Sequence, residues 1–117
     1  VTFRGVVTDV RLVYQRADLF ALSSAWEGQG LVVLEAAAAG VPLILSDRPV
    51  FREWLNDASA LFVEESLPAW TEAFAQALHR PKEMQLRAWK AHEVVTRVGD
   101  VERMVYRYVE LYDELLP

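Results

Sequence analysis

The stretch from Ala17 to Leu45 limits the fold more than any other part of this chain. It holds a strand-length apolar segment (17–22), a loop with Gly28 and Gly30, and a helix-length apolar segment (31–39) interrupted only by Glu35. Gly40 and a second strand-length segment (41–45) follow. A strand, a glycine loop, a helix and a strand in that order make a βαβ unit, whose strands run parallel. Gly40 stands where a left-handed residue ends a helix. Pro42 falls at the start of its segment, where a strand tolerates proline.

The alternation extends both ways. Residues 1–7 are β-branched and aromatic around Gly5 and read as a further strand. Asp9 can cap a short helix through Arg16, with Leu12 and Val13 inward. Pro49 sits at the first turn of a helix over 51–55 that Asn56-Asp57 ends, and 60–63 is a fourth strand. From Leu67 the pattern is helical only, over 68–79, 82–97 and 101–116, broken at Pro81 and Gly99-Asp100. The expected organisation is one unit spanning 1–117, with βα units in 1–66 and a helical tail in 67–117.

Composition narrows the partners. With 117 residues and 53% apolar content the chain is one small domain with a real core. A net charge of -5 argues against nucleic acid as a partner, but a nucleotide needs only local contacts. There is no cysteine, so no disulfide and no thiolate metal site, and no cluster has metal-ligand spacing. The longest apolar stretch, 31–45, is broken by Glu35, Gly40 and Pro42 and is too short to span a bilayer. The chain opens Val1-Thr2-Phe3-Arg4, with neither signal-peptide order nor an initiator Met. A piece of a longer protein is expected.

In parallel α/β sheets, ligands bind beyond the carboxyl ends of the strands, which is where the loop 23–30 lies. Gly28 and Gly30 let backbone approach a ligand. The amides of Gly30, Leu31, Val32 and Val33 are the unpaired donors of the helix start, and with the helix dipole they suit a diphosphate. Glu35 sits one turn in, so its side chain leans back toward that end. A buried carboxylate on an apolar helix needs a partner, and it can accept two hydrogen bonds from a vicinal diol such as a ribose. Arg48 and Arg52 are the basic residues that could offset the negative groups.

Each feature also has a purely structural use. A G-x-G turn before a helix is common. Glu35 could pair with an arginine or accept from a backbone amide, and Glu27 could be a solvated loop residue. Their joint occurrence favours a site. His79 and His92 read as surface residues. Trp26 borders the loop, while Trp54, Trp70 and Trp89 read as packing residues. Tyr106, Tyr108, Leu111, Tyr112 and Leu115 form a packing stripe at helical spacing.

Glu27 and Glu35 seven residues apart, with Gly28, Gly30, Ala36, Ala38-Ala39-Gly40-Val41-Pro42 and Ser46-Asp47, resemble the retaining GT-B glycosyltransferases of the family 4 type. Phe3-x-Gly5-x-Val7, Ala17-Asp18-Leu19-Phe20-Ala21-Leu22-Ser23, Phe51-Arg52-Glu53 and Tyr108-Val109-x-Leu111-Tyr112-x-x-Leu115 resemble the family's flanking segments. The resemblance implies half of a GT-B domain: a partial Rossmann-like parallel sheet of about four strands with a C-terminal helical tail.

It further implies transfer of a sugar from a nucleotide-diphosphate sugar, with no cofactor and no metal. Glu27 would face the donor sugar as the catalytic residue, and Glu35 would bind the ribose. Gly30, Leu31 and Val32 would hold the diphosphate, with Gly28 and Gln29 beside them. Val7 and Asp9 would meet the base. The sequence departs from the family pattern in Gln29 for an aromatic, Ala37 for Met, Arg48-Pro49 for a glycine-rich turn, and Ala60 for Gly.

The resemblance also implies an N-terminal acceptor domain and two strands of the donor domain that lie outside this sequence. In the order 3-2-1-4-5-6 those two strands belong between 1–7 and 17–22. The chain alone would therefore be inactive and would repair its sheet edge by rearrangement, dimerisation or strand swapping. A cytoplasmic location is implied, with peripheral contact at the inner membrane face. The alternatives are a non-catalytic nucleotide-sugar-binding module and another GT-B activity, such as a sugar-nucleotide epimerase or a phosphorylase.

Overall fold

A computed structural model describes residues 1–116. The elements in chain order are α1 (Arg11–Tyr14), β1 (Phe20–Leu22), α2 (Leu31–Ala38), β2 (Leu43–Ser46), α3 (Pro49–Arg52), β3 (Leu61–Val63), α4 (Leu67–His79), α5 (Pro81–Val98) and α6 (Val101–Leu115). The strands form one parallel sheet in the order β1-β2-β3, with Phe20 opposite Leu43 and Leu45 opposite Phe62.

β2 is the central strand and is buried along its whole length. This is why it reads as a continuous apolar run rather than an alternating one. Its side chains divide between two cores, as a period of two requires. Leu43 and Leu45 join Val33, Ala36 and Ala37 of α2, Phe51 of α3, and Ala91 and Val95 of α5. Ile44 faces the other way, with Val63 of β3, Ala73 and Ala77 of α4, and Met84 of α5. α5 thus serves both faces, Met84 at its start and Val95 near its end.

Small residues set how closely the helices approach. Ala36 and Ala37 on α2 and Ala88 and Ala91 on α5 have no exposed surface. His92 Nδ1 lies 2.9 Å from Ala38 O. A carbonyl only accepts, so the ring nitrogen donates there and satisfies one of the orphan carbonyls at the end of α2. Gly40 takes φ +73 just past that end, the left-handed stop expected of it.

Four expectations fail. The described residues hold three strands, not about four. Residues 1–7 have no regular structure, and Val1, Phe3 and Val6 are almost fully exposed. A strand needs a lateral partner for its backbone groups. Among the described residues no strand pairs with residues 1–7.

Leu12 and Val13 do not point inward but are exposed. α1 is a single turn, and the ring that packs is Tyr14, whose centroid is 6.1 Å from that of Phe20. Trp89 is 56% exposed and is not a packing residue, whereas Trp54 and Trp70 pack against the two cores. The stripe on α6 is apolar but exposed along its length; Met104, Tyr108 and Leu111 line a cleft with Trp54 and Val98.

Candidate functional site

β1 ends at Leu22 and the chain enters the loop 23–30 at the carboxyl edge of the sheet. Ser46, the last residue of β2, anchors that loop. Its buried Oγ lies 3.0 Å from Leu22 O and 2.9 Å from Ser24 O. One hydroxyl proton is shared between two carbonyls at the sheet edge. Arg48 Nε adds a third contact, donating to Ser24 O at 3.3 Å.

Glu27 is half-buried and accepts from Ser24 Oγ at 2.7 Å. It lines a cleft of about 470 Å³ with Trp26, Gly28, Gln29, Arg48 and Trp54. Trp26 is 91% exposed, an apolar ring standing free at the mouth. Arg48 also pairs with Glu65 through its second terminal nitrogen. Arg52 is not available to a ligand. It grips both oxygens of Asp47, at 2.7 and 2.9 Å, and bonds Asp57 at 2.9 Å. Its guanidinium also lies 3.8 Å from the Phe62 ring centre. The Asp47 carboxyl is held below the usual carboxylate range by this Arg52 bond.

Gly30 closes the loop in the left-handed region, at φ +69. A Cβ there would stand 2.5 Å from Phe51 Cε1, so both the backbone angle and the packing require glycine. The helix start then offers fewer donors than the sequence suggests. Val33 N is already used, donating to Gly30 O at 2.9 Å. The amides of Leu31 and Val32 have no acceptor among the described residues, and both side chains are exposed, at 57% and 40%.

Glu35 is exposed, not buried as its apolar helix suggests. α2 buries the face carrying Val33, Ala36 and Ala37. Leu31, Val32 and Glu35, spaced by three and four, share an open face. The carboxylate keeps a partner: Tyr14 OH lies 3.1 Å from Glu35 Oε2 and 3.4 Å from Val32 O. Burial, and secondly this carboxylate, push the Tyr14 phenol up.

Val7 and Asp9 lie apart from the Glu27 cleft. They line a second one of about 450 Å³ with Arg4, Thr8 and Arg16. Asp9 is chelated by Arg11 Nε and Nη2, both at 3.0 Å, and also accepts Arg11 N. That bond holds its carboxyl below the usual range. Among the described residues no group of three or more acidic or histidine side chains could hold a metal ion.

Against known proteins, residues 1–93 match the family described as glycosyl transferases group 1. The chain belongs to this family. Among curated relatives of this group 1 chain, the lipopolysaccharide core biosynthesis mannosyltransferase LpsB of Rhizobium meliloti is 34% identical over 79 residues. These are 64% of this chain and 22% of that protein. The GDP-mannose:cellobiosyl-diphosphopolyprenol alpha-mannosyltransferase of Xanthomonas oryzae is 29% identical over 110 residues, 92% of this chain and 29% of that one.

The structure of Anabaena HepE, solved with UDP and glucose, matches with a TM-score of 0.87 at 18% identity. The match covers 97% of this chain and 32% of HepE. Sucrose-phosphate synthase from Thermosynechococcus elongatus gives 0.82 at 24% identity, over 91% and 27%. These likenesses establish the fold, that of the C-terminal region of GT-B glycosyltransferases. The group 1 chain therefore spans less than a third of the length of these relatives.

The group 1 chain also uses residues to which sequence reading gave no role of their own. Ser46 is polar at the end of an apolar strand, and that break in pattern is its signal. Ser24 orients Glu27, and Tyr14 meets Glu35 from 21 positions away. A contact that distant leaves no periodic trace in the sequence.

Proposed function

We propose that this chain is the donor-binding part of a retaining glycosyltransferase of the family 4 type. It would transfer a sugar from a nucleotide-diphosphate sugar to an acceptor, without a further cofactor. The observation that carries this reading is the start of α2. Left-handed Gly30 opens α2, the amides of Leu31 and Val32 at that end have no acceptor among the described residues, and Glu35 stands on the exposed side of the same helix. Two amides and a helix dipole receive a diphosphate, and a carboxylate one turn on receives the hydroxyls of a ribose. Glu27 faces the donor sugar from the adjoining cleft. Val7 and Asp9, in the turn ahead of α1, meet the base.

Catalysis in this reading is positioning plus stabilisation of the leaving diphosphate. The chain alone binds donor but does not transfer, because the acceptor half lies in the remaining length that its relatives have. We further propose a cytoplasmic enzyme in peripheral contact with the inner membrane face. The names of the Rhizobium and Xanthomonas relatives, which refer to lipopolysaccharide and a polyprenol, support that location. No described helix is long and apolar enough to cross a membrane. The free edge of β1 supports pairing with a second copy or a swapped strand, which sedimentation would detect as a dimer and a monodisperse monomer would disprove.

The test of the donor reading is a ligand-observed NMR screen with UDP-, GDP-, ADP- and dTDP-sugars, GDP-mannose included. Binding of one nucleotide sugar that is lost in Glu35→Ala supports the reading. Equal binding by the variant rejects Glu35 as the ribose ligand. Turnover without any acceptor would instead favour a hydrolytic or epimerising activity.

A further inference from the structure

Glu35 is exposed on an open helix face, and a free glutamate there would sample many rotamers. Tyr14 restricts it. The phenol ring is half-buried against Phe20, so its hydroxyl is delivered from a fixed base. The single phenolic proton is shared between Glu35 Oε2 at 3.1 Å and Val32 O at 3.4 Å. Val32 O belongs to the first turn of α2, so the hydroxyl fixes the carboxylate relative to the amides that open the helix.

A carboxylate offers about four lone-pair sites. Tyr14 takes one and leaves the second oxygen and the remaining sites open to hydroxyl donors. Tyr14 is also the last residue of α1, which begins two residues after Asp9. It therefore joins the turn at Val7–Asp9 to the carboxylate of α2.

We propose that Tyr14 is the positioning residue of the diol-binding carboxylate, and that through it the turn ahead of α1 and Glu35 hold the base and the ribose of one nucleotide as a single unit. This rests on the reading of Glu35 as the ribose ligand. The physical gain is preorganisation: rotamer freedom that Glu35 would lose on binding is already restricted in the free chain. Tyr14 itself touches no substrate.

The test compares a ribonucleotide with its 2′,3′-dideoxy counterpart, titrated into the wild-type chain, Tyr14→Phe and Glu35→Gln. UDP, GDP and ADP serve as probes. Phenylalanine keeps the ring packed on Phe20 and removes only the hydroxyl. The wild type is expected to prefer the ribonucleotide. Y14F should weaken ribonucleotide binding by about threefold to tenfold, the range of one solvent-accessible hydrogen bond, and leave the dideoxy compound unchanged.

A merely structural Tyr14 would weaken both compounds equally, which overturns the proposal. If E35Q removes the ribose preference and Y14F does not, the proposal fails and the ribose reading stands. If E35Q leaves the preference intact, or no probe binds, both fail. A ligand-free readout stands beside these: E35Q should move the Tyr14 phenol titration downward, and an unmoved titration means the bond is absent in solution.

Discussion

Gly30→Ala tests whether the end of the 23–30 loop is built as described. At φ +69 the backbone lies where an L side chain costs about 1–2 kcal/mol. The new Cβ would also stand 2.5 Å from Cε1 and 3.2 Å from Cδ1 of Phe51. Phe51 is 2% exposed and packed among Val33, Leu55 and Val95, so the ring has no open direction in which to turn. Overpacking of this kind costs about 1–3 kcal/mol.

The sum is about 2–5 kcal/mol, or a fall in Tm of roughly 8–20 °C for a chain of this size. Two other glycines separate the contributions. Gly40 has φ +73 but nothing within 4 Å of an added Cβ, so Gly40→Ala should cost only the backbone share, about 1–2 kcal/mol. Gly28 has neither constraint, and Gly28→Ala should stay within about 0.5 kcal/mol. Urea unfolding of the three variants gives the order directly. If Gly30→Ala costs no more than Gly40→Ala, the Phe51 contact is not as described. If both are neutral, the left-handed assignments are wrong.

Ser46→Ala should cost about 1 kcal/mol by removing the hydroxyl that bridges Leu22 O and Ser24 O, and amide exchange in residues 23–30 should quicken; unchanged exchange would mean that the loop is held elsewhere. Arg52→Gln should cost about 1–2 kcal/mol after solvent screening, from two ion pairs and the Phe62 stacking. Because Arg52 lowers the folded-state pKa of Asp47, that part of the stability is present above the ordinary carboxylate range and fades as pH falls through the folded value. The gap between wild type and R52Q in urea should therefore narrow in acid, and a gap that widens there refutes the pairing. Tyr14 has the opposite sign: its folded-state pKa is raised, so its contribution is intact below about pH 10 and is lost as pH climbs higher. Wild-type stability should fall relative to Y14F over that alkaline range, and parallel curves would show an unperturbed phenol.

The βαβ frame was legible because its signals are local. The apolar run of β2, the left-handed stop at Gly40 and the helical spacing of α4 and α5 each fall within a few consecutive residues. What failed depended on partners distant in sequence or outside it. Residues 1–7 have strand composition, yet a strand forms only beside another, and composition does not supply a neighbour. Glu35 lies in so apolar a helix that burial seemed required. The identity of the buried face depends on where Ala88 and Ala91 of α5 dock, and that decision is made some 50 residues later. The stripe on α6 is apolar at helical spacing but exposed rather than packed, because periodicity reports a face, not what covers it. At the site, Gly30 was legible from its place before a helix. The contacts of Tyr14 and Ser46 were not, because each hydroxyl reaches acceptors 18 or more residues away.

Ser46 and Gly30 divide the site into fixed ends and a free middle. Ser46 holds the loop where it leaves β1, and Phe51 packs on Gly30 where the loop becomes α2. Both anchors belong to the buried body of the domain, so the loop starts and stops on rigid elements. Between them, Trp26, Gly28 and Gln29 are exposed, and Glu27 is tied only to Ser24 within the loop itself. A change at either end must therefore act on stability and on ligand geometry together. Changes at Trp26 or Gln29 remove no buried contact, so under the proposed donor reading they should alter binding while leaving the unfolding curve in place. Ligand-contacting chemistry is thus carried where the core does not constrain the side chain. Under the proposed donor reading, a change at Gln29 alters the pocket without cost to the fold.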